Sequence, residues 1–516
     1  MSVATREPVT ILAPMSVEAR AVRSGAPWAQ VEKVGMGPRR ADGWARAAGG
    51  GVGGAGGPAL LLAGFCGALA PGLEPGDVVL ASELRGPSGA GAPCADPAIL
   101  AGALRRGGMR VHVGPIASAE KIVRGEARER LGRTGAIAVD MESAWLAGGR
   151  DPVDGRPFIV LRVVLDTGAR ELHRPLRTLT GFAAAYRALR RACALAEGWT
   201  HALGARDVVL ASPRASCAGV DRAIEIVRAA LAERGAPVYV RRQIVHNTHV
   251  VGELEARGAV FVDELAQVPA GATVIFSAHG VSPAVRADAV ARSLQVIDAT
   301  CPLVAKVHAE ARRFADSAFD IVLVGHEGHE EIEGTYGEAP ARTQVIATVD
   351  EVAALEVKDP SRVAYLTQTT LAVDETAGIV QALRHRFPEI VGPASSDICY
   401  ATQNRQDAVR ALAGECDLVL VVGSENSSNS RRLVEVAQRA GSRALLIESA
   451  CDLPPAELVG AARIGLTAGA SAPEPLVQEV VAALAGLGAV NVTENRVATE
   501  KMSFKLPPEL RQQRSQ

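Results

Sequence analysis

Apolar residues fall along this chain in short runs, most of them closed by glycine, proline or small polar residues. VTILAPM near the start reads as a first strand, and residues 17–22 as the beginning of a helix after it. PALLLAGF and residues 137–139 and 158–164 read as further strands, with turns at Gly72 and Gly76. Residues 182–197 have helical spacing and run into GWTHALGARD, after which Val208-Val209-Leu210 opens a second series. Here a strand, a polar loop and a helical stretch follow one another repeatedly, through VVLASPR, VIFSAHG, VIDATC, IVLVGHEGHEEIEG, VAYLTQTTL, LVLVVGSENSSNSRRLVEV and IGLTAGAS. The pattern predicts an α/β fold throughout: an α/β sandwich with a mixed sheet, then three small α/β lobes whose loops converge on a central cavity.

Length and composition place the division. At 516 residues the chain exceeds what one core organises. All four tryptophans precede residue 205 and seven of the ten histidines follow it, which sets a boundary at 201–206 and predicts domains over 1–205 and 206–516. GGGVGGAGG at 49–57 reads as a flexible connection, and its glycines do not form a dinucleotide fingerprint. A formal charge of −2 gives no footing to a nucleic-acid partner. The start lacks a long apolar signal core, and PALLLAGFCGALAPG is too short and glycine-broken to span a membrane, so a cytoplasmic location is expected.

Eight cysteines in such a compartment should stay reduced. Cys66, Cys193, Cys416 and Cys451 read as core or near-core residues and Cys94 as a loop residue. Cys217, Cys301 and Cys399 differ. Each follows a polar or turn-forming segment and precedes a stretch with helical spacing, as Val220, Ile224, Ile226 and Val227 show for Cys217. Unpaired N–H groups and the dipole at a helix start stabilise a thiolate. The separations of 84 and 98 residues are unlike the compact spacings of small ferredoxins and zinc sites, so spacing alone leaves unrelated thiols and a metal site both open.

Longer motifs carry the reading further. CAGVDRAIEIV, VHN, FSAHGVS, DATCPLV, GHEGHEEIEGT, TQTTL, ICYATQNRQ, GSENSSNSRRL and TAGASAP occur in that order. On them, residues 206–512 resemble the 4-hydroxy-3-methylbut-2-enyl diphosphate reductases, the last enzymes of the methylerythritol phosphate route of isoprene biosynthesis. The resemblance implies that Cys217, Cys301 and Cys399 hold one [4Fe–4S] cluster with an open iron; zinc is the formal alternative for three thiolates. It implies that His246, His279 and His329, with protonated imidazoles, surround the substrate diphosphate together with Ser427, Ser428, Asn429 and Ser471. Taken singly, each histidine reads more readily as a packing or hydrogen-bonding residue. Glu331 would relay a proton to the substrate hydroxyl and Thr369 would orient that oxygen, whereas Glu330 and Glu333 take no such role. The implied reaction is reductive dehydroxylation to isopentenyl and dimethylallyl diphosphate. With no flavin or nicotinamide fingerprint, a ferredoxin or flavodoxin is the implied electron donor. A structural iron–sulfur interaction protein is the alternative reading. The chain has Ser212-Pro213-Arg214-Ala215-Ser216-Cys217 where the family commonly has Asn-Pro-Arg-Gly-Phe-Cys, which should alter the loop and the shielding of the first sulfur.

In the first domain, VGMGP at 34–38, GFCGAL at 64–69, GDVV at 76–79, VDMESAW at 139–145 and RVVLD at 162–166 resemble the purine nucleoside phosphorylase and nucleosidase superfamily. The resemblance extends to the hopanoid-associated phosphorylases and implies a multifunctional enzyme that also releases a purine from a nucleoside-like substrate, with adenosylhopane as candidate. Met141 and Glu142 would contact the ribose, Asp166 would donate a proton or hydrogen bond to the departing base, and Gly35 and Gly37 would form an anion-binding turn. Leu165 stands where serine is common. A noncatalytic ligand-binding or docking module is the alternative.

Overall fold

The computed structural model describes residues 9–49, 59–89, 91–92, 94–147, 157–168 and 175–510; beyond Gly49, the glycine-rich connection lies outside them. The chain divides into two compact units, 1–208 with 449–464 and 478–492, and 209–448 with 465–477 and 493–516. Among the described residues no helix is long and apolar enough to cross a membrane.

The first unit is built on a mixed sheet. Val9–Ala13 and Ala59–Ala68 are apolar on both faces and pair in parallel, as near-continuous hydrophobic runs do in buried sheets. Phe158–Asp166 continues the sheet in parallel beside Ala59–Ala68 and meets Val78–Arg85 in antiparallel. Val111–Ser118 and Ala138–Asp140 lead back to Ala59–Ala68, so these five strands close into a ring. Leu12, Leu62, Val79, Ile116 and Val160 fill one of its cores. The register between Ala59–Ala68 and Phe158–Asp166 shifts at Cys66/Gly67, where Val164 and then Asp166 take successive partners. The extra residue is Leu165. A bulge of this kind breaks strand alternation and turns two consecutive side chains toward one side.

Three further sheets follow, matching the three lobes expected. Ala259–Val262, Val238–Arg241, Thr273–Phe276 and Gln295–Asp298 form the first in that spatial order, all parallel. Thr343–Ile346, Asp320–Val324 and Val363–Thr367 form the second, also parallel. Arg443–Ile447, Leu418–Val422, Arg463–Ala468, Arg206–Ser212 and Val490–Arg496 form the third. Separate apolar clusters centred on Ile275 and Ile297, on Leu323 and Leu366, and on Val419 and Val421 hold these sheets to their helices.

Each lobe ends a segment on a cysteine that caps a helix. Cys217 precedes Ala218–Arg234, Cys301 precedes Pro302–Asp316, and Cys399 precedes Tyr400–Ala413. Proline at the first position of the Cys301 helix suits a place where no N–H is needed. The Cys399 sulfur accepts a hydrogen bond from the Thr402 N–H at 3.3 Å, using a donor that the helix leaves unpaired.

Candidate active site

The three cysteine caps open onto one cavity in the second unit. Its walls include every residue singled out in this unit: the three cysteines, the three histidines, Glu331, Thr369, Ser427, Ser428, Asn429 and Ser471. Burial pushes the Cys301 thiol up to about 12 and the Cys399 thiol to about 11, so a metal centre bound there must displace their protons. A Cβ added at Gly219 would lie 2.7 Å from the Cys301 sulfur and 3.8 Å from that of Cys217, so only glycine leaves the sulfurs this space.

A single zinc, with Zn–S bonds of about 2.3 Å, needs its sulfurs roughly 3.8 Å apart. The three sulfurs do not all lie within 4.8 Å of one another; among the described residues only His246, His279 and Glu330 bring three ligand atoms so close. The wider sulfur triangle fits a polynuclear iron–sulfur cluster better than a single ion.

At another part of the cavity, His246 and His279 stack with ring centres 4.2 Å apart, and His329 stands edge-on to both at 5.8 and 5.9 Å. Burial, reinforced by the charge of His279, pushes His246 and His329 down to about 3. The expectation of protonated imidazoles is therefore corrected for these two: in the free pocket they are neutral. Glu330, given no role from sequence, faces His279 at 3.4 Å. Burial opposes its charge, but the hydrogen bond and charge of His279 prevail and hold Glu330 at about 2.

Ser427 caps the helix Ser428–Arg439 and accepts from the Ser430 N–H at 3.3 Å, while the Ser471 hydroxyl donates to Ser427 at 3.3 Å. Both polar atoms of the Asn429 amide are buried without a protein partner. An unpaired buried amide is costly, and a ligand oxygen at this helix N-terminus relieves the cost.

Glu331 is fully buried, and both its oxygens accept from one residue: the Thr369 N–H at 2.7 Å and the Thr369 hydroxyl at 3.0 Å. Burial raises its pKa, with the Thr369 bonds opposing. Tyr400 and Phe504 also line the cavity and were missed from sequence. Tyr400 adjoins Cys399, which was a usable signal. Phe504 sits in a tail without periodicity, which offered none.

A second cavity lies in the first unit and is lined by Met141, Glu142, Leu165 and Asp166. Leu165 and Asp166 both reach it because of the bulge between them. Asp166, expected to donate a proton or hydrogen bond, accepts from buried Arg128, with bonds of 2.8 and 3.3 Å to its carboxylate. Gly35 and Gly37 have φ of +85° and +90°, but the Gly37 N–H donates to Glu142 at 3.0 Å, so this donor of the expected anion turn serves a side chain. Arg162 is wholly buried and pairs with Asp140 at 2.6 Å and Glu142 at 3.2 Å. Glu18, overlooked in the sequence, faces the same cavity; it accepts from the Phe65 and Met15 N–H groups, both at 2.6 Å. Burial pushes Glu18 up to about 7. Its place on the buried face of the first helix was the available signal, as was a lone arginine inside the apolar strand FIVLRVVLD.

A family model described as LytB protein matches residues 208–485, and one described as Phosphorylase superfamily matches 21–198. A 4-hydroxy-3-methylbut-2-enyl diphosphate reductase of Bordetella pertussis is 60% identical over 301 residues, covering 58% of this chain and 93% of that protein. A reductase of the same name from Mycobacterium tuberculosis is 57% identical over 323 residues, 62% of this chain and 98% of its own. The solved E-1-hydroxy-2-methyl-but-2-enyl-4-diphosphate reductase of Plasmodium falciparum superposes with a TM-score of 0.57 at 40% identity, covering 60% of this chain and 97% of that one.

Proposed function

The chain belongs to the LytB protein family, and from that premise we propose that its second unit reduces (E)-4-hydroxy-3-methylbut-2-enyl diphosphate to isopentenyl and dimethylallyl diphosphate. The observation that carries the reading is the convergence of three cysteine-capped helix starts, a buried Glu331–Thr369 pair and the partnerless Asn429 amide on one cavity. Cys217, Cys301 and Cys399 would hold a [4Fe–4S] cluster. When bound, that cluster supplies electrons, received from a ferredoxin or flavodoxin, and an iron without a protein ligand for the substrate oxygen. The chain's own residues do the rest.

The diphosphate lies against Ser427, Ser428, Asn429 and Ser471, where hydroxyls, an amide and a helix N-terminus meet its charge. His246, His279 and His329 close the other side, and His246 and His329 take up protons as the anion arrives. With this end fixed, the C4 hydroxyl is directed to the sulfur-lined end beside Thr369. Protonated Glu331 donates to the Thr369 oxygen, which frees the Thr369 hydroxyl to donate to the C4 oxygen. The C4–O bond breaks and oxygen leaves as water; two electrons and a second proton, added at carbon, complete the product. The test is anaerobic reconstitution followed by turnover of the hydroxylated diphosphate. Turnover in the wild type, with loss of both cluster and turnover on C217S, C301S or C399S, is expected. A cluster that forms but neither responds to substrate nor turns over would favour the structural iron–sulfur alternative.

A second activity in the first unit is favoured by Glu18, whose proton affinity near neutrality suits a general base for water, facing the same cavity as Glu142. Met36 and Ile122 line this cavity and are 48% and 52% exposed, which suits a nucleoside with an apolar 5′ substituent such as adenosylhopane. The full chain incubated with adenosine derivatives of this kind should release adenine. Binding without release would make this unit a ligand-binding module.

A further inference from the structure

Each cysteine-capped helix carries a cation a turn and a half inside it: Arg222 and Lys306, the fifth residues after Cys217 and Cys301, and Arg405, the sixth after Cys399. Each cation reaches the loop that leads into the next cysteine. Arg222 Nη1 donates to the carbonyls of Ala299 at 3.2 Å and Thr300 at 3.1 Å, the two residues before Cys301. Lys306 Nζ donates to the carbonyls of Ser395 at 2.7 Å and Ser396 at 3.1 Å and to Asp397 at 3.3 Å, just ahead of Cys399. Arg405 donates to the Ala215 carbonyl from Nε at 3.0 Å and Nη2 at 2.8 Å, and Nη2 reaches the Ser216 carbonyl at 3.4 Å, next to Cys217. The direction is the same each time, so the ties close into a ring running from 217 to 301 to 399 and back.

The ring also holds the tail. Arg222 Nε donates to the Lys505 carbonyl at 2.9 Å, and Arg405 pairs with Glu500 at 3.0 Å, on either side of the Phe504 that lines the cavity. Loop carbonyls beyond the end of a strand have lost their ladder partners, and charged donors satisfy them more strongly than neutral ones. Three cations also stand one for one with three sulfurs that must become thiolates. Lys306 pairs with Asp397 and Arg405 with Glu500, so their charge is partly offset.

We infer that Arg222, Lys306 and Arg405 are positioning residues for the iron–sulfur cluster: a ring of cations that locks the three ligating loops to one another and sets positive charge around the sulfurs. The inference rests on the proposed reading of the three cysteines as cluster ligands. Two consequences follow. Loosening one tie lets a ligand loop move and admits solvent and oxygen to the cluster. Removing one positive charge disfavours the more reduced, more negative state, so the midpoint potential moves to more negative values.

Lys306 is the practical site for a test, because its side chain is 29% exposed whereas that of Arg405 is 1% exposed. Holoprotein carrying K306Q, K306R or R222Q is reconstituted anaerobically and checked for folding by circular dichroism. Iron and sulfide content, the rate of bleaching of the cluster absorbance in air, and the midpoint potential in a titration followed by EPR are then measured without substrate. K306Q and R222Q should bleach several-fold faster than wild type and titrate at more negative potential, and K306R should restore both properties. Wild-type bleaching and potential in folded K306Q and R222Q would overturn the inference. So would faster bleaching at an unmoved potential, which would leave only ordinary loop ties. C301S serves as the separate control: a full cluster in that variant would sink the ligand reading itself, whereas its loss beside unaffected lysine and arginine variants would sink only the ring.

Discussion

Glu331 commits both carboxyl oxygens to Thr369 and is buried from water, an arrangement that keeps a proton available where an ionised acid would be costly. Because burial raises its pKa, the proton-donating form is present at low pH and is lost as pH rises through the raised value. Turnover should fall along that limb. E331Q removes the proton and should lower turnover by about 10²–10⁴-fold, with KM much less affected because the diphosphate is held elsewhere. Steady-state kinetics across pH check both statements. The histidines make a complementary prediction. His246 and His329 titrate near 3 in the free pocket, and an arriving dianion raises both values. Affinity is therefore favoured at lower pH and declines as pH rises toward the values in the complex. Calorimetry of inorganic pyrophosphate binding in two buffers of different ionisation enthalpy should report net proton uptake; none would mean the imidazoles stay neutral.

The elements that carry these residues were readable where two local signals coincide. A β-like run, a polar loop and helical spacing around each cysteine marked the helix starts, and the three-lobed α/β order followed from their repetition. The cation ring was not readable, because a carbonyl acceptor has no sequence signature and the donors resemble ordinary helix-surface charges. Nor was the shared orientation of Leu165 and Asp166, since strand alternation puts neighbours on opposite faces until a bulge intervenes. The loop before Cys217 shows the same limit. Its departure from Gly-Phe was visible, but only the structure shows Ala215 at φ +59°, left-handed and gripped by Arg405. Glycine there should relieve about 1–2 kcal/mol of steric cost while giving back roughly 0.5–1 kcal/mol of chain entropy. A215G is thus expected to stabilise the fold by between zero and ~1.5 kcal/mol, read as a raised denaturant midpoint at unchanged slope. A lowered midpoint would mean that the alanine methyl contributes packing that outweighs its strain.

At the scale of the whole molecule, the two proposed activities call for buried acids in opposite states. On the proposed mechanisms Glu331 is a proton donor that loses that role as pH rises, whereas Glu18, pushed by burial from the ordinary 4.5 to about 7, would become a base only as pH rises. The linkage sign for Glu18 is that of an acid with a raised folded pKa: its contribution to stability is complete below about 4.5 and is lost as pH rises through about 7. The pH range that prepares this base is therefore the range that weakens the unit around it. Purine release by the full chain should climb through about pH 7, while reduction of the hydroxylated diphosphate by the same preparation should decline along its own limb. E18Q separates the causes. It should abolish purine release, remove the loss of stability between about pH 4.5 and 7 in thermal unfolding, and leave cluster content and the reductase pH profile unchanged. If E18Q instead altered the reductase profile, the two activities would have to share a titrating group, and the independent protonation of the two sites would be wrong.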